Sequence, residues 1–324
     1  MHMAHTRVAL FGAAGYTGLE LVKLLTLHPN IDLVAASSDS QAGTPVAALT
    51  GAATSLAFVT AAQALETAAD IALLAVPHAA APELAAKLRA KGTKVIDLSN
   101  AHRATPEAAY GLTSWFADDA ATSSLIANPG CYATGIITAV APLVRAGWIE
   151  RDVFVAAGSG VTGAGKSADE AMSLGEMSGN VRAYKVLKHQ HVPEIEMALG
   201  RIGGTRPRVV LTTHLLPIAR GIFATINVRL TSDRSSAQLT AHMRETYAED
   251  PTVRVMATPE DVSIRKVVGT NQTHIGVAAA DDLCVVTAAI DNLLKGAAGQ
   301  AVENMNLVLG LPRTTGLRHL ARHG

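Results

Sequence analysis

The sequence predicts an α/β protein: a doubly wound, Rossmann-type dinucleotide-binding domain followed by an α+β catalytic domain with a mixed or antiparallel sheet. Three observations carry this. A strand, a glycine turn and a helix stand at the front, in "RVALFGAAGYTGLELVKLLTLHP"; β-like runs then alternate with helical patterns over residues 1–147; and after Trp148 β-runs follow one another with few helices between them. At 324 residues the chain is long enough to bury two cores.

Composition narrows the function classes. No apolar run approaches the ~20 residues that span a bilayer, and the basic and acidic residues balance at 27 each without forming blocks. A charge-dominated nucleic-acid or membrane surface is therefore not expected, and a small molecule is the expected partner. Cys131 and Cys284 are too few and too far apart for a disulfide framework, and they give no zinc spacing. The opening residues lack a basic segment with a cleavage site, so the cytoplasm is the expected location.

The first element is the β-rich run Val8 to Phe11. Gly12, Gly15 and Gly18 follow in a G-x-x-G-x-x-G spacing, and Leu19, Val22 and Leu25 then repeat with helical period. Glycines suit a turn whose backbone approaches a pyrophosphate, with the N–H groups of the helix start turned to the anion. Gly12, Ala13, Ala14, Gly15, Tyr16 and Thr17 are the cofactor-binding residues of this turn. The second strand, "IDLVAASS", ends in Ser37 and Ser38 before Asp39, where NAD-specific folds usually carry an acidic residue at the strand end. Small hydroxyls leave room for a 2′-phosphate, so NADP(H) is the expected cofactor, although Asp39 stands close by.

Further strands are read in "DIALLAVPH" and "KVIDLS", with "AAPELAAKLRAKG" as a crossover helix. Ligands of such sheets sit beyond the carboxyl ends of the strands. "AVPH" with Pro77, "DLSN", and "ANPGC" with Asn128 all emerge there. In "NPGC" the Pro-Gly pair ends a β-like run, and Ile136, Ile137, Val140, Leu143 and Val144 then follow at helical spacing, which puts Cys131 at the first turn of a helix. Helix-start amides stabilise a thiolate, while unpaired cysteines are otherwise usually buried and inert. On spacing alone the two readings stand level; Cys284, inside the β-run "DDLCVVTAAI", reads as core. A thiolate beside a nicotinamide suggests acyl transfer to sulfur followed by hydride reduction, which needs a proton donor. His189 and His191, just before the helix that Pro193 opens, are the candidates, and spacing does not choose between them.

Together "GAAGYTG", "DLSNAHR", "NPGCYATG", "GSGVTGAGK", "YKVLKHQHVPEIE", "LLPIARGI" and "AVENMNLVLG" resemble the N-acetyl-γ-glutamyl-phosphate reductase family, in the family's order and over nearly the whole chain. That family carries out an NADP-dependent step of arginine biosynthesis and is related in fold and chemistry to aspartate-semialdehyde and glyceraldehyde-phosphate dehydrogenases. The resemblance implies that Cys131 is the nucleophile and His191 the acid/base. It assigns Arg103 and Arg220 to the substrate's phosphate or carboxylate, a task suited to guanidinium forks. It places Ser159 and Gly160, in the glycine-rich stretch Gly158 to Lys166, beside nicotinamide and substrate, and brings Asn306 rather than Asn304 toward the cofactor. Three departures stand out: "YGLTSWF" lacks the family's proline and glutamate, "NAHR" replaces an acidic and aromatic pair, and Ala14 stands where serine is usual.

The back half yields strands in "VFVAAGSG", "RVVLTTHLLPI", "IFATINVRL", "HIGVAAA" and "LCVVTAAI", a helix in "SAQLTAHMRETYAED", and a long C-terminal helix in "AIDNLLKGAAGQAVENMNLVLGL" interrupted near Gly296 and Gly299. The expected domains are 1–147 for the dinucleotide, 148–294 for catalysis and oligomerisation, and 295–324 as a helix returning to the dinucleotide domain. The nucleophile is expected at the domain interface and the chain to form a homo-oligomer, dimer or tetramer. Two rival functions are the same chemistry on carrier-bound aminoadipyl phosphate in lysine biosynthesis, which the neutral charge disfavours, and a non-catalytic NADP-binding regulator. A cysteine hydrolase leaves the glycine turn unexplained.

Overall fold

In the computed structural model, residues 5–166, 173–317 and 320 are described. Their contacts divide the chain into two units, one ending at Gly130 and resuming at Ala297, the other formed by Cys131–Gly296.

The first unit holds β1 (Thr6–Phe11), α1 (Tyr16–Thr26), β2 (Ile31–Ser37), α2 (Val46–Thr50), α3 (Ala61–Glu66), β3 (Ile71–Leu74), α4 (Ala81–Ala90), β4 (Lys94–Asp97), β5 (Ala109–Tyr110), α5 (Thr113–Thr122) and β6 (Leu125–Ala127). The strands form one sheet in the order β2-β1-β3-β4-β6-β5, and every pairing is parallel. Such a sheet is covered on both faces, and all four residues of β3 are accordingly buried. Ala9, Phe11, Ala72, Leu74, Val95 and Leu125 form its core with Ala85 and Leu88 of α4.

The second unit holds α6 (Cys131–Arg145), β7 (Ile149–Ser159), α7 (Leu174–Met177), β8 (Arg182–Tyr184), α8 (Val192–Gly203), β9 (Arg208–Leu215), β10 (Ile222–Leu230), α9 (Ser236–Thr246), β11 (Val253–Val255), α10 (Ile264–Val267), β12 (Thr273–Ala280) and β13 (Leu283–Ile290). Its sheet runs β11-β12-β13-β10-β7-β9-β8 and is mixed, with β7–β9 and β11–β12 parallel and the other pairings antiparallel. Helix α6 packs against β7, β10, β12 and β13 and touches α8 and α9. Along β7, Val153, Val155, Ala157 and Ser159 are buried while Phe154 and Ala156 between them are exposed, so one sheet face carries the helices and the other stays open. Packing thus assigns the cysteine-bearing helix to the second unit, whereas the sequence boundary near 147 had left it in the first.

Pro142 sits inside α6 and cannot donate to the carbonyl of Thr138 four residues back. The Tyr247 hydroxyl donates to that carbonyl instead, at 2.6 Å.

The C-terminal helix differs from expectation. Ala289 and Ile290 finish β13, residues 294–298 form a single π-turn, and α11 (Gly299–Val308) follows with no gap. The Gly296 amide donates to the Asp291 carbonyl at 2.9 Å, the five-residue step of a π-turn. A Cβ at Gly296 would stand 2.8 Å from Cys131 Cβ, so the turn needs glycine there.

Tyr247→Phe should destabilise the protein by about 1–3 kcal/mol, the cost of stranding a buried carbonyl. Urea denaturation followed by circular dichroism checks this, and an unchanged midpoint would show that another group satisfies Thr138.

Candidate active site

In the first unit the turn between β1 and α1 is built from backbone. Gly12 has φ +78°, and a Cβ there would fall 2.2 Å from the Ala75 carbonyl oxygen; one at Gly18 would fall 2.3 Å from Gly12 O. Gly15 caps α1 without any side-chain bond, and Tyr16 is exposed. The turn therefore lies flat on the helix start, a cradle that a side chain would fill and that suits a phosphate. Ala13 and Ala14 are buried, and the Ala13 amide donates to Ser37 O at 2.8 Å. That bond seats the turn on β2, so the Ala13 amide supports the cradle.

At the end of β2 only one of the two expected serines is accessible. Ser37 is buried, whereas Ser38 is half-buried with its Oγ 3.4 Å from Ser40 Oγ. The Asp39 carboxylate accepts the Ala61 amide at 2.9 Å. It therefore secures the start of α3. Pro77 lies exposed beyond β3, two residues after the carbonyl that contacts Gly12.

Arg103 is held by two strand-end carbonyls: Nε donates to Asn128 O at 2.9 Å and Nη2 to Leu98 O at 2.8 Å. Its loop is pinned by buried Asp97, which accepts from Ser99 N (2.8 Å), Ser99 Oγ (2.9 Å) and His102 Nδ1 (2.6 Å). His102 thus occupies the "NAHR" departure with a hydrogen bond of its own.

Two further expected contact residues make hydrogen bonds within the fold. The Asn128 side chain is buried; Nδ2 donates to Ala297 O at 3.2 Å and Oδ1 accepts from Asn304 at 3.0 Å. Asn306 is fully buried, its Nδ2 donating to Arg313 O and Thr315 O and its Oδ1 bonded to His28 Nε2 at 2.9 Å. Both amides tie α11 to its own unit. The altered "YGLTSWF" stretch is anchored by the same helix: Gly111 O accepts from Gln300 and Asn304, and Thr113 Oγ1 donates to Glu303 at 2.6 Å.

The second unit gathers the chemistry-bearing side chains. Cys131 is half-buried at the first position of α6, a helix whose residues from Tyr132 to Leu143 are all buried. Beside it Tyr132 stacks edge-on to His189 and His191, with ring centres 5.3 and 6.1 Å away, and the two imidazoles are 4.7 Å apart. The Tyr132 and Tyr184 hydroxyls lie 3.0 Å apart. Burial pushes the Tyr132 phenol well up, with Tyr184 and Cys131 adding to it. Burial likewise raises Tyr184 to about 12, with Cys131 contributing. Both therefore stay protonated near the thiol.

The two histidines differ. His191 caps α8, with Pro193 in that helix's first turn. Its backbone amide donates to His189 Nδ1 at 3.2 Å, so that nitrogen of His189 is an acceptor. Burial first, and the Lys185 ammonium second, push His189 down from 6.5 to about 4. His189 is thus neutral at neutral pH.

Arg220 is locked to buried Asp291, Nε to Oδ1 at 2.9 Å and to Oδ2 at 2.8 Å. Ser159 is buried with its hydroxyl on Gly160 O at 3.0 Å, and a Cβ at Gly160 would stand 2.6 Å from Arg220 N. These two residues shape the backbone under Arg220. Cys284 is buried in β13, its thiol raised to about 12 by burial.

The family model described as semialdehyde dehydrogenase, NAD binding domain, matches residues 7–123, and the one described as semialdehyde dehydrogenase, dimerisation domain, matches residues 131–292. N-acetyl-gamma-glutamyl-phosphate reductase of Bacillus cereus strain B4264 is 37% identical, covering 97% of this chain and 99% of that protein. The same-named protein of Bacillus mycoides strain KBAB4 is 38% identical over the same shares. This chain belongs to the N-acetyl-gamma-glutamyl-phosphate reductase family. The fold of this family member is shared by a probable aspartate-semialdehyde dehydrogenase of Pseudomonas aeruginosa (TM-score 0.78, 20% identity, covering 94% and 98% of the two chains). It is also shared by the aspartate semialdehyde dehydrogenase of Candida albicans solved with NADP (TM-score 0.71, 15% identity, covering 94% and 98%).

Sequence reading missed three residues that lie beside the expected site residues. Tyr132 and Tyr184 flank the histidine pair, and only "CY" hinted at the first. Asp291 was passed over as a helix residue, although an acid directly after a strand and before a glycine turn marks a cap.

Burial lowers His189 and His274 from 6.5 to about 4 each, while the unfolded chain titrates near the ordinary value. Their contribution to stability is thus full above pH 6.5 and is lost as pH falls toward 4. The urea midpoint should drop between about pH 7 and pH 5, above most carboxylate titration, and the double variant His189→Gln/His274→Gln should flatten that slope. An equal slope in parent and variant would contradict the assignment.

Proposed function

We propose that this chain reduces N-acetyl-γ-glutamyl phosphate to N-acetyl-L-glutamate 5-semialdehyde, releasing phosphate, with NADPH as reductant, in arginine biosynthesis. The observation that carries the reading is the placement of Cys131: the half-buried first residue of a buried helix, next in sequence to Tyr132, whose ring meets the rings of His189 and His191.

Helix-start amides favour a thiolate at Cys131. Its sulfur attacks the acyl-phosphate carbon; the C–S bond forms, the C–O bond to phosphate breaks, and a thioester remains on the enzyme. NADPH, when bound, supplies the hydride that reduces the thioester carbon. His191 protonates the resulting oxyanion and takes the proton back as the C–S bond breaks to give the aldehyde. His189 is the less suitable acid, because it is neutral and its Nδ1 already accepts the His191 amide. Arg103 and Arg220, each fixed by acceptors of its own unit, would hold the substrate's phosphate and carboxylate.

The cradle of Gly12, Gly15, Tyr16 and Thr17 would hold the dinucleotide phosphates, with Pro77 at its edge. Ser38 supports NADPH over NADH: its small hydroxyl leaves room for a 2′-phosphate, and the nearby Asp39 carboxylate is bonded to Ala61 N. The open sheet face, with Phe154 47% and Leu283 54% exposed, fits assembly into a homo-oligomer, as does the match to a dimerisation domain. A thiol that must stay reduced fits the cytoplasm.

Cys131→Ser should keep NADPH binding, measured by fluorescence titration, yet lose phosphate-dependent oxidation of N-acetylglutamate semialdehyde by about three orders of magnitude or more; retained turnover would remove the mechanism. Ser38→Glu should move the ratio of kcat/KM for NADPH over NADH by about tenfold or more toward NADH, through repulsion of the 2′-phosphate. An unmoved ratio would take the strand-end serine out of cofactor choice.

A further inference from the structure

Within the second unit, one carboxylate gathers donors from three separated stretches. Asp291 is fully buried immediately after β13. Its Oδ1 accepts the amides of Leu293 (2.9 Å) and Leu294 (3.0 Å), which start the turn running on to Gly296. Its Oδ2 accepts the amide of Gly269 at 2.8 Å, from the loop after α10. Both oxygens take the Nε of Arg220. The main-chain carbonyl of Asp291 accepts the Gly296 amide at 2.9 Å. The next residue extends the same arrangement: Asn292 Oδ1 accepts the Gly221 amide at 2.7 Å, so the residue after Arg220 is tied to the same corner.

That corner also sets the thiol's seat. A methyl placed on Gly296 would stand 2.8 Å from Cys131 Cβ, 3.2 Å from Cys131 Cα and 3.2 Å from the Asp291 carbonyl oxygen. The backbone of the turn therefore rests on the nucleophilic residue, and its path is fixed by Asp291 at both ends. A carboxylate bonded to three amides and a guanidinium is far more constrained than its place in the sequence suggests, and neutralising it would release all four donors together.

We propose that Asp291 is a positioning residue that couples the two halves of the second unit's site: it orients the Arg220 guanidinium toward the substrate's anionic group and holds the Gly296 turn against Cys131. It touches no reacting atom and acts through those two residues. The proposal rests on the reductase reading for the role of Arg220, while its Cys131 half stands independently.

The test uses the full-length protein and two readouts: the rate of Cys131 carboxymethylation by iodoacetamide, and KM for inorganic phosphate in semialdehyde oxidation. Asp291→Asn should slow or speed alkylation by about fivefold or more and raise KM for phosphate about tenfold. Arg220→Gln should raise KM similarly while leaving alkylation within about twofold, because the turn is still held by Asp291. In the double variant the KM increase should match that of the larger single variant, since Asp291 acts on KM through Arg220. Wild-type alkylation and KM in folded Asp291→Asn, or KM factors that multiply in the double variant, would overturn the proposal. If Asp291→Asn fails to fold, Asp291→Glu is read in the same assays, and wild-type values there overturn it equally. A parent enzyme without phosphate-dependent turnover would sink the functional reading alone, and the alkylation arm would still decide the coupling of Asp291 to Cys131.

Discussion

The second unit depends on the burial of α6. Twelve consecutive residues of that helix, Tyr132 to Leu143, are buried, and sheet strands and helices pack around it. The half-buried first residue of that helix is the cysteine. Its surroundings are then fixed in turn: Tyr132 is drawn into the histidine pair, and Gly296 must lack a side chain where it meets Cys131. The apolar packing that stabilises the unit is the same packing that places Cys131 at its helix start.

The first unit solves a different problem with backbone. Gly12 and Gly18 bring main chain against main chain at distances that no Cβ would allow, and Gly15 opens α1 with no side chain over its amides. Gln300, Glu303, Asn304 and Asn306 are all fully buried on α11, and each makes side-chain hydrogen bonds within its own unit. This buried polar face gives the helix a specific register that apolar packing alone would not impose.

Much of this was readable in the sequence because it was local and periodic. The strand, glycine turn and helix at the front, the crossover helix Ala81–Ala90 and the cysteine at a helix start each follow from residue spacing within about fifteen positions. What stayed hidden was set by contacts distant in sequence. One exception is short-range: the His191 amide donates to His189 Nδ1, and both imidazoles are buried. The choice between Asn304 and Asn306 could not come from a helix face, because α11 is buried all round. The glycine that the π-turn at 294–298 carries at Gly296 answers to Cys131, more than 160 positions earlier. Ser37 and Ser38 look alike as letters, yet strand alternation buries the first and leaves the second half-buried.

The account's central claim is that the acyl group passes through the sulfur of Cys131. Mixing the enzyme with N-acetylglutamate semialdehyde and NADP⁺ while withholding phosphate should leave an acyl group on the enzyme, to be located by acid quench and peptide mass spectrometry. The account predicts a hydroxylamine-labile N-acetylglutamyl adduct on the peptide that carries Cys131, absent when phosphate is supplied. An adduct on any other residue, or rapid oxidation of the semialdehyde with Cys131 unmodified at every time point, would contradict it.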